Sequence, residues 1–430
     1  MAMRFVRLRH LAYRLSSFRV ASVWLVPVIG MVLALVLNPI LRGIDQATGW
    51  AWFGFGPNGS RALLGMIAAS MLSFLVFLFS ALLIAVQIAS AQLTPRVIAT
   101  TFLQDRPVRL TIGLIVLTYT LSIGVLGRIE ESVLQLSILV CILLSLVTIG
   151  MFLYMIDYSL KALRPVSVIE RVATSGQKVI RDVYPDALGA ERDIRRSVLT
   201  TRPAAPNRTL VHADSSAVLL AADFRWLADT AQAVEGLIEL VPRVGTFIAV
   251  DEPLFHLYGG AADLDPGSLR SALAFGRERT MEQDPMFAFR ILVDIAAKAL
   301  SPAINDPTTA VLAIDQIHRL LRAVGKRHLD TEAMLDESGR FGVAFRTPDW
   351  EDYVTLSVTE IRQYGATSVQ VVRRLRAMLE NLKASLPPDR WPPLELQLQV
   401  LHRAIERAFP DLEDQAIAGV ADVEGVGQVD

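Results

Sequence analysis

The chain has 430 residues, 52% of them apolar and 20% charged, with a formal net charge of −1. That length is too great for one ordinary domain, and the near-neutral charge removes any global pull toward nucleic acid. A mean hydropathy of +0.41 lies above soluble norms and below those of a chain wholly in lipid, so a membrane part joined to a water-soluble part is expected. The single cysteine, Cys141, sits in an apolar run and excludes a disulfide within the chain. The histidines (His10, His212, His256, His318, His328, His402) show no pair at helical ligand spacing, so neither a metal nor another cofactor is expected. Arginine outnumbers lysine 37 to 5, a bias usual in GC-rich bacterial genomes, and the membrane expected for the chain is a bacterial inner (cytoplasmic) one.

A helix crosses the bilayer core with about 20 apolar residues. Four charge-free runs meet that length: 20–41, 62–95, 110–127 and 132–156. The first ends in Asn38-Pro39 and is too long for the apolar core of a cleavable signal, so it reads as an uncleaved helix. Orientation follows from arginine and lysine in the short loops. Arg4, Arg7, Arg9, Arg14 and Arg19 precede the first run; Arg96, Arg106 and Arg109 follow the second; Lys161, Arg164, Arg171, Lys178 and Arg181 follow the fourth. The other two loops carry only Arg42 and Arg61, and Arg128 beside Glu130 and Glu131. Both termini are therefore expected in the cytoplasm. The outer loop 43–59 holds Trp50, Trp52, Phe53 and Phe55, rings suited to the headgroup layer.

The second run would make a helix of roughly 50 Å at 1.5 Å per residue, so it must tilt or project beyond the membrane. Along it Ser73, Ser80, Gln87 and Thr94 recur every seven residues and so share one stripe. Two readings stand: a pore-lining or water-facing stripe, or a helix–helix seam where small residues permit close approach. Asp157, at the inner end of the fourth run, reads either as an acid at the end of a conduit or as an interfacial residue beside Lys161.

Beyond the membrane part (1–158) a helical connector is expected over 159–206, with a helical pattern from Leu160 to Ile180 and a Pro-rich linker, TTRPAAPN, at 200–207. A small β-rich unit follows over 207–260. Its strand candidates are 216–222, 237–241, 246–250 and 254–258, with a helix capped by Asp223 and carrying Trp226 as a core anchor. GTFIAVDEPLFHL (245–257) has the turn–strand rhythm of modules that carry swinging cofactors. No lysine lies between Lys178 and Lys298, which excludes a lipoyl or biotinyl attachment. Residues 261–410 read as mainly helical, with one strand at 340–345 and an arginine-rich helix at 369–382. Residues 411–430 are acidic, rich in Gly and Val, and expected to be mobile.

The most informative stretch is 276–316. Asp284-Pro285 and Asp306-Pro307 each precede an apolar run. Asp is a good N-cap and Pro is tolerated at the first helical position, so two helices should begin there. Arg290, Asp294 and Lys298 stand four residues apart and share a face. That face reads either as a solvated ion-pair ladder or as a buried network with Arg277, Arg279 and Glu282, at a subunit contact or an anion site. Asn305 and Asp306 sit in the joint between the helices, as ligand candidates or as caps.

ALSPAINDPTTA (299–310), with GRERTMEQDP (276–285) before it, resembles a bacterial family of predicted membrane proteins called domain of unknown function 2254. QIASAQLTPRVIATTFLQDRP (87–107) and EIRQYGATSVQVVRRLRAML (360–379) are similar to further stretches of that pattern, and the likeness spans roughly 20–385. It implies four membrane helices and a cytosolic domain, and no activity. One departure is Ser216-Ala217, where the family usually has Gly-Tyr.

The sequence thus predicts an α-helical membrane domain of four transmembrane helices and an α+β cytosolic domain with a small β-rich unit. No GxSxG, HExxH, P-loop or Rossmann fingerprint argues for an enzyme. Two functions compete: an oligomeric, channel-like conduit gated by the cytosolic domain, and a membrane-anchored sensor or scaffold. The expected partners are the lipid bilayer and further copies of the chain, not nucleic acid.

Overall fold

A computed structural model describes residues 24–49, 54, 56–92, 105–129, 135–162, 164–189, 196–197, 205–329 and 333–424. The chain divides into two compact units, the first ending at Ser167 and the second beginning at Val168. Four of the described helices are long and apolar enough to cross a membrane, all in the first unit.

These are α1 (Leu25–Thr48), α2 (Pro57–Gln92), α3 (Arg106–Leu126) and α4 (Gln135–Ala162). Of α3's most apolar stretch 56% is buried, against 22% for α1 and α2 and 33% for α4, so α3 is the central helix. It meets α1 where two glycines face: a Cβ on Gly30 would stand 2.6 Å from the Gly113 carbonyl oxygen. Close backbone approach of this kind replaces the hydrophobic drive that lipid cannot supply. α1 runs past the expected end at Leu41, with Pro39 inside it. It closes on Gly49, in the left-handed region at φ 58°, whose N–H donates to the Asp45 carbonyl at 3.0 Å.

α5 (Pro165–Val183) runs across the Ser167–Val168 boundary into the second unit, and Pro165 at its start separates it from α4. The expected continuous pattern from Leu160 is thus two helices, because proline cannot donate into the preceding turn. A six-stranded sheet follows, in the order β1 (Arg196–Ser197), β8 (Ala333–Leu335), β9 (Gly342–Ala344), β4 (Gly236–Leu240), β6 (Pro253–Gly259), β2 (Arg208–Val211). Its β4–β9 pair is parallel, with Ile238 opposite Val343. A three-stranded sheet orders β5 (Phe247–Ile248), β3 (Ala217–Ala222) and β7 (Leu273–Gly276).

The β-structure is therefore not confined to 207–260. β1, β7, β8 and β9 lie outside that range, because the inner strands would otherwise leave open edges. Leu219, Ile238, Leu254, Phe255, Leu257 and Val343 form one core across both sheets, and Trp226 packs at its margin. Trp226 sits on α6 (Phe224–Ala233), whose N-cap Asp223 accepts from the Trp226 N–H at 3.1 Å. A short helix, α7 (Pro266–Ser271), leads into β7.

The helical layer comprises α8 (Pro285–Ala299), α9 (Pro307–Val324), α10 (Trp350–Gly365), α11 (Val369–Ser385) and α12 (Trp391–Ala408). α8 packs on α9 and α10, α9 on α11, and α12 on both α10 and α11. Residues 411–424, expected to be mobile, instead hold α13 (Leu412–Ala418) and a buried Asp422. The cause is a clasp of arginines from α11. Arg373 donates to the Val420 carbonyl at 3.1 Å, Arg374 to those of Asp422 and Val423 at 2.9 and 2.8 Å, and Arg376 to that of Gly419.

Candidate functional site

Both Asp-Pro steps open helices. Asp284 accepts from the Phe287 N–H at 3.2 Å, and Asp306 accepts from the Thr309 N–H at 3.0 Å and its hydroxyl at 2.5 Å. Between the helices Asn305 takes a left-handed conformation at φ 49° and is exposed. Asparagine tolerates this region better than most residues. The Asp306 N–H donates to Ala299 O at 2.8 Å, which closes the joint. The SPAINDP stretch is thus a built corner, with Asp306 committed to its cap.

Asp284 does more than cap. It is 3% exposed, and its second oxygen accepts from Nε of Arg279, whose guanidinium lies 5.4 Å from the Phe287 ring centroid. The β4–β5 turn presses on the same pair, since a Cβ on Gly245 would collide with Asp284 and Arg279. Nearby, the hydroxyls of Tyr184 and Tyr353 meet at 3.2 Å, and Tyr353 packs on Phe289 at 5.1 Å between centroids. Arg243, from the same turn, donates to Asp352 at 3.0 Å.

Burial sets the protonation of this cluster. It pushes the Asp284 carboxyl above its ordinary value of 3.8, against the opposing pull of Arg279. It pushes the Tyr184 phenol up to about 12 and Tyr353 well above the ordinary range. Both phenols therefore keep their protons at neutral pH.

Arg290 forms a second centre. Its guanidinium bonds Asp294 on its own helix and donates to both oxygens of Glu360 on α10, at 2.5 and 2.6 Å. Its side chain is 23% exposed, so the ladder face is neither fully solvated nor buried. The third member of this network is Glu360. Arg279 belongs to the Asp284 cluster, while Arg277 and Glu282 are exposed and join neither centre. The Arg290 bonds hold Glu360 below its ordinary 4.5.

The two acids act on stability with opposite signs. Glu360, with a depressed pKa, stabilises the fold above 4.5 and loses that contribution as pH falls through its folded value. Asp284, with a raised pKa, favours the fold most below 3.8, and that contribution fades as pH rises through its folded value. Glu360→Gln is expected to flatten the acid limb of a plot of urea midpoint against pH. The change should stay under about 1 kcal/mol, because the Glu360 side chain is 39% exposed. Asp284→Asn should flatten the limb just above 3.8 instead. The same curve for parent and both variants would show that neither acid couples to folding.

In the membrane unit the stripe candidates lie on one uncovered face of α2. Ser73, Ser80 and Gln87 are exposed, and the two hydroxyls donate to their own helix, to Ala69 O and Val76 O at 3.0 Å each. Thr94 lies outside the described residues, as does most of the 87–107 stretch. Asp157 pairs with Lys161 at 2.7 Å, with 58% and 65% of their side chains exposed, as a solvated ion pair would be.

The buried polar groups of this unit are others. Asp45 of α1 accepts from the N–H groups of Leu136 and Ser137 at 2.8 and 3.0 Å and from the Ser137 hydroxyl at 2.6 Å. It caps the start of α4 from a neighbouring helix. Thr118 and Thr148 share a hydrogen bond of 3.0 Å, and buried Asn38 lies against Gly124. Arg61 donates to Ile129 O at 2.9 Å, so a residue read as loop charge fastens α2 to the end of α3. Sequence spacing could have found Asn38 and Asp45. With Gly30, Ala34 and Leu41 they form the buried face of α1, which shows once that helix is read beyond Leu41.

The class that emerges is a polytopic membrane protein whose apolar helices are followed by a unit of mixed sheets and helices. Residues 20–381 match the model of the family described as predicted membrane protein (DUF2254), and the chain belongs to that family. It is similar to an uncharacterised protein of Mycobacterium bovis and to two of Mycobacterium tuberculosis. Each is 26% identical over 414 residues, covering 92% of this chain and 78% of the relative. No solved structure matches it.

Proposed function

We propose that the protein is a membrane-anchored sensor or scaffold that assembles as a homo-oligomer through α2, in a bacterial cytoplasmic membrane with both termini inside. The observation that carries this reading is a stripe of exposed residues along α2. Ala62, Met66, Ala69, Ser73, Val76, Ser80, Leu83 and Gln87 alternate at spacings of four and three along α2, and all eight are exposed. That is the repeat of a left-handed helix pair, and the small residues within it, Ala62, Ala69, Ser73 and Ser80, let backbones approach in lipid. Inside the bundle, by contrast, the Asp45 cap and the Thr118–Thr148 bond commit polar groups to one another, which favours an anchor over a conduit through one copy.

The second reading, a conduit between copies, draws on the hydroxyls and the Gln87 amide sharing that outer face. Cysteine scanning separates the readings. In membranes, Ser73→Cys and Ser80→Cys should each cross-link between copies under mild oxidation at least tenfold more than Phe79→Cys, which is exposed on the next face. Equal cross-linking at all three would remove the seam. A Gln87→Cys variant that reacts with a water-borne thiol reagent and changes conductance would favour the conduit.

A further inference from the structure

The helical layer holds a cluster of positive charge that the site above does not use. Arg362 lies on the last turn of α10, with its Nε buried and without a hydrogen-bond partner among the described residues. An arginine Nε–H that gives up water and gains no acceptor is a costly arrangement. The charges that act on Arg362 are those of Arg403 and Arg407, and both are positive. These two stand one turn apart on α12, which packs against α10, and both are exposed. Arg407 turns its Nε to the Arg403 carbonyl at 3.1 Å, so its remaining guanidinium nitrogens stay available.

Two acids that could have neutralised the cluster are engaged elsewhere. Glu395 meets Lys383 at 2.5 Å, and Glu360 takes the fork of Arg290, while Glu406, exposed on the same helix, lies 3.4 Å from His402 and pairs with none of the three arginines among the described residues. None of the three arginines forms an ion pair among the described residues. This contrasts with Arg243, Arg270, Arg279, Arg290, Arg374 and Arg376, each of which has a carboxylate.

We propose that Arg362, Arg403 and Arg407 form a binding site for a phosphate-bearing anion. Three guanidiniums present planar forks of N–H donors that match tetrahedral oxyanions, and a multiply charged ligand would supply the acceptor that the Arg362 Nε lacks. The partly desolvated Arg362 would sit at the floor of the site, with Arg403 and Arg407 as the outer clamp. The ligand chemistry fits two sources, a soluble phosphate compound or the headgroup of an anionic phospholipid. The inference is independent of how copies of the chain assemble.

The test uses the full chain in neutral detergent at fixed ionic strength. Inorganic pyrophosphate and, separately, phosphatidylglycerol dispersed in the same detergent are titrated while binding is followed by calorimetry. Saturable binding of either is expected, pyrophosphate indicating a soluble ligand and phosphatidylglycerol alone a headgroup. Each of Arg403→Gln and Arg407→Gln should weaken it at least tenfold, the ratio that one charge-assisted hydrogen bond supports. Both residues are exposed, so these variants should fold like the parent, and Arg403→Lys should restore part of the loss. No saturable binding of either probe, or equal binding by parent and glutamine variants, overturns the proposal.

Discussion

Asp45→Ala is expected to destabilise the membrane unit by about 3 kcal/mol, the sum of a lost cap and newly unpaired buried donors. Asp45 is 7% exposed, and its carboxylate satisfies two backbone N–H groups and one hydroxyl at the start of α4. Alanine leaves all three donors without an acceptor where water is scarce. Asp45→Asn keeps one carbonyl oxygen and should lose roughly half as much. The measurement is unfolding of the detergent-solubilised chain by titrated sodium dodecyl sulfate, followed by a label near α4. An alanine variant within about 0.5 kcal/mol of the parent would show that the cap is dispensable.

Gly245→Ala should disturb the second unit at least as much, through two causes that act together. The residue sits at φ +90°, which side-chain-bearing residues rarely adopt, and an added Cβ would strike Asp284 and Arg279. Strain alone costs on the order of 1–3 kcal/mol, and displacing Arg279 would leave a buried carboxylate without its cation. Gly49→Ala is the control. Its φ is +58° with nothing within 4 Å of the added atom, so about 1 kcal/mol of strain is expected there. If the two substitutions shift the thermal unfolding of their respective units equally, the contact between turn and carboxylate carries no weight.

How far the sequence could be read depended on whether its signals were local. Apolar runs gave the four membrane helices, and Asp-Pro steps gave the starts of α8 and α9 within a residue, because length and caps are properties of neighbouring residues. Strands β3, β4 and β6 were also legible from short apolar runs between turns. β8 and β9 have three residues each and are held by partners far along the chain, so β8 gave no signal. α10 was legible in principle, since Asp349 and Asp352 form a capping box at its start.

The candidate site divided the same way. The Arg290–Asp294 pair follows from helical spacing, but Glu360 lies seventy residues away and only folding brings it in. Tyr184 and Tyr353 were invisible for the same reason, and Gly245 was legible as a turn residue but not as a neighbour of Asp284. Their roles come from a shared interior, not from spacing.

The parallel pairing of β4 with β9 also sets an order of events during synthesis. Glu239 waits for Ala344, so the middle of the six-stranded sheet stays open while the ribosome adds α8 and α9. The early hairpin partners, β4 and β6, can meet at once. The sheet as a whole is a late product, because contacts between distant segments must await the emergence of both. Until then the edge of β4 that β9 will cover presents unpaired backbone groups.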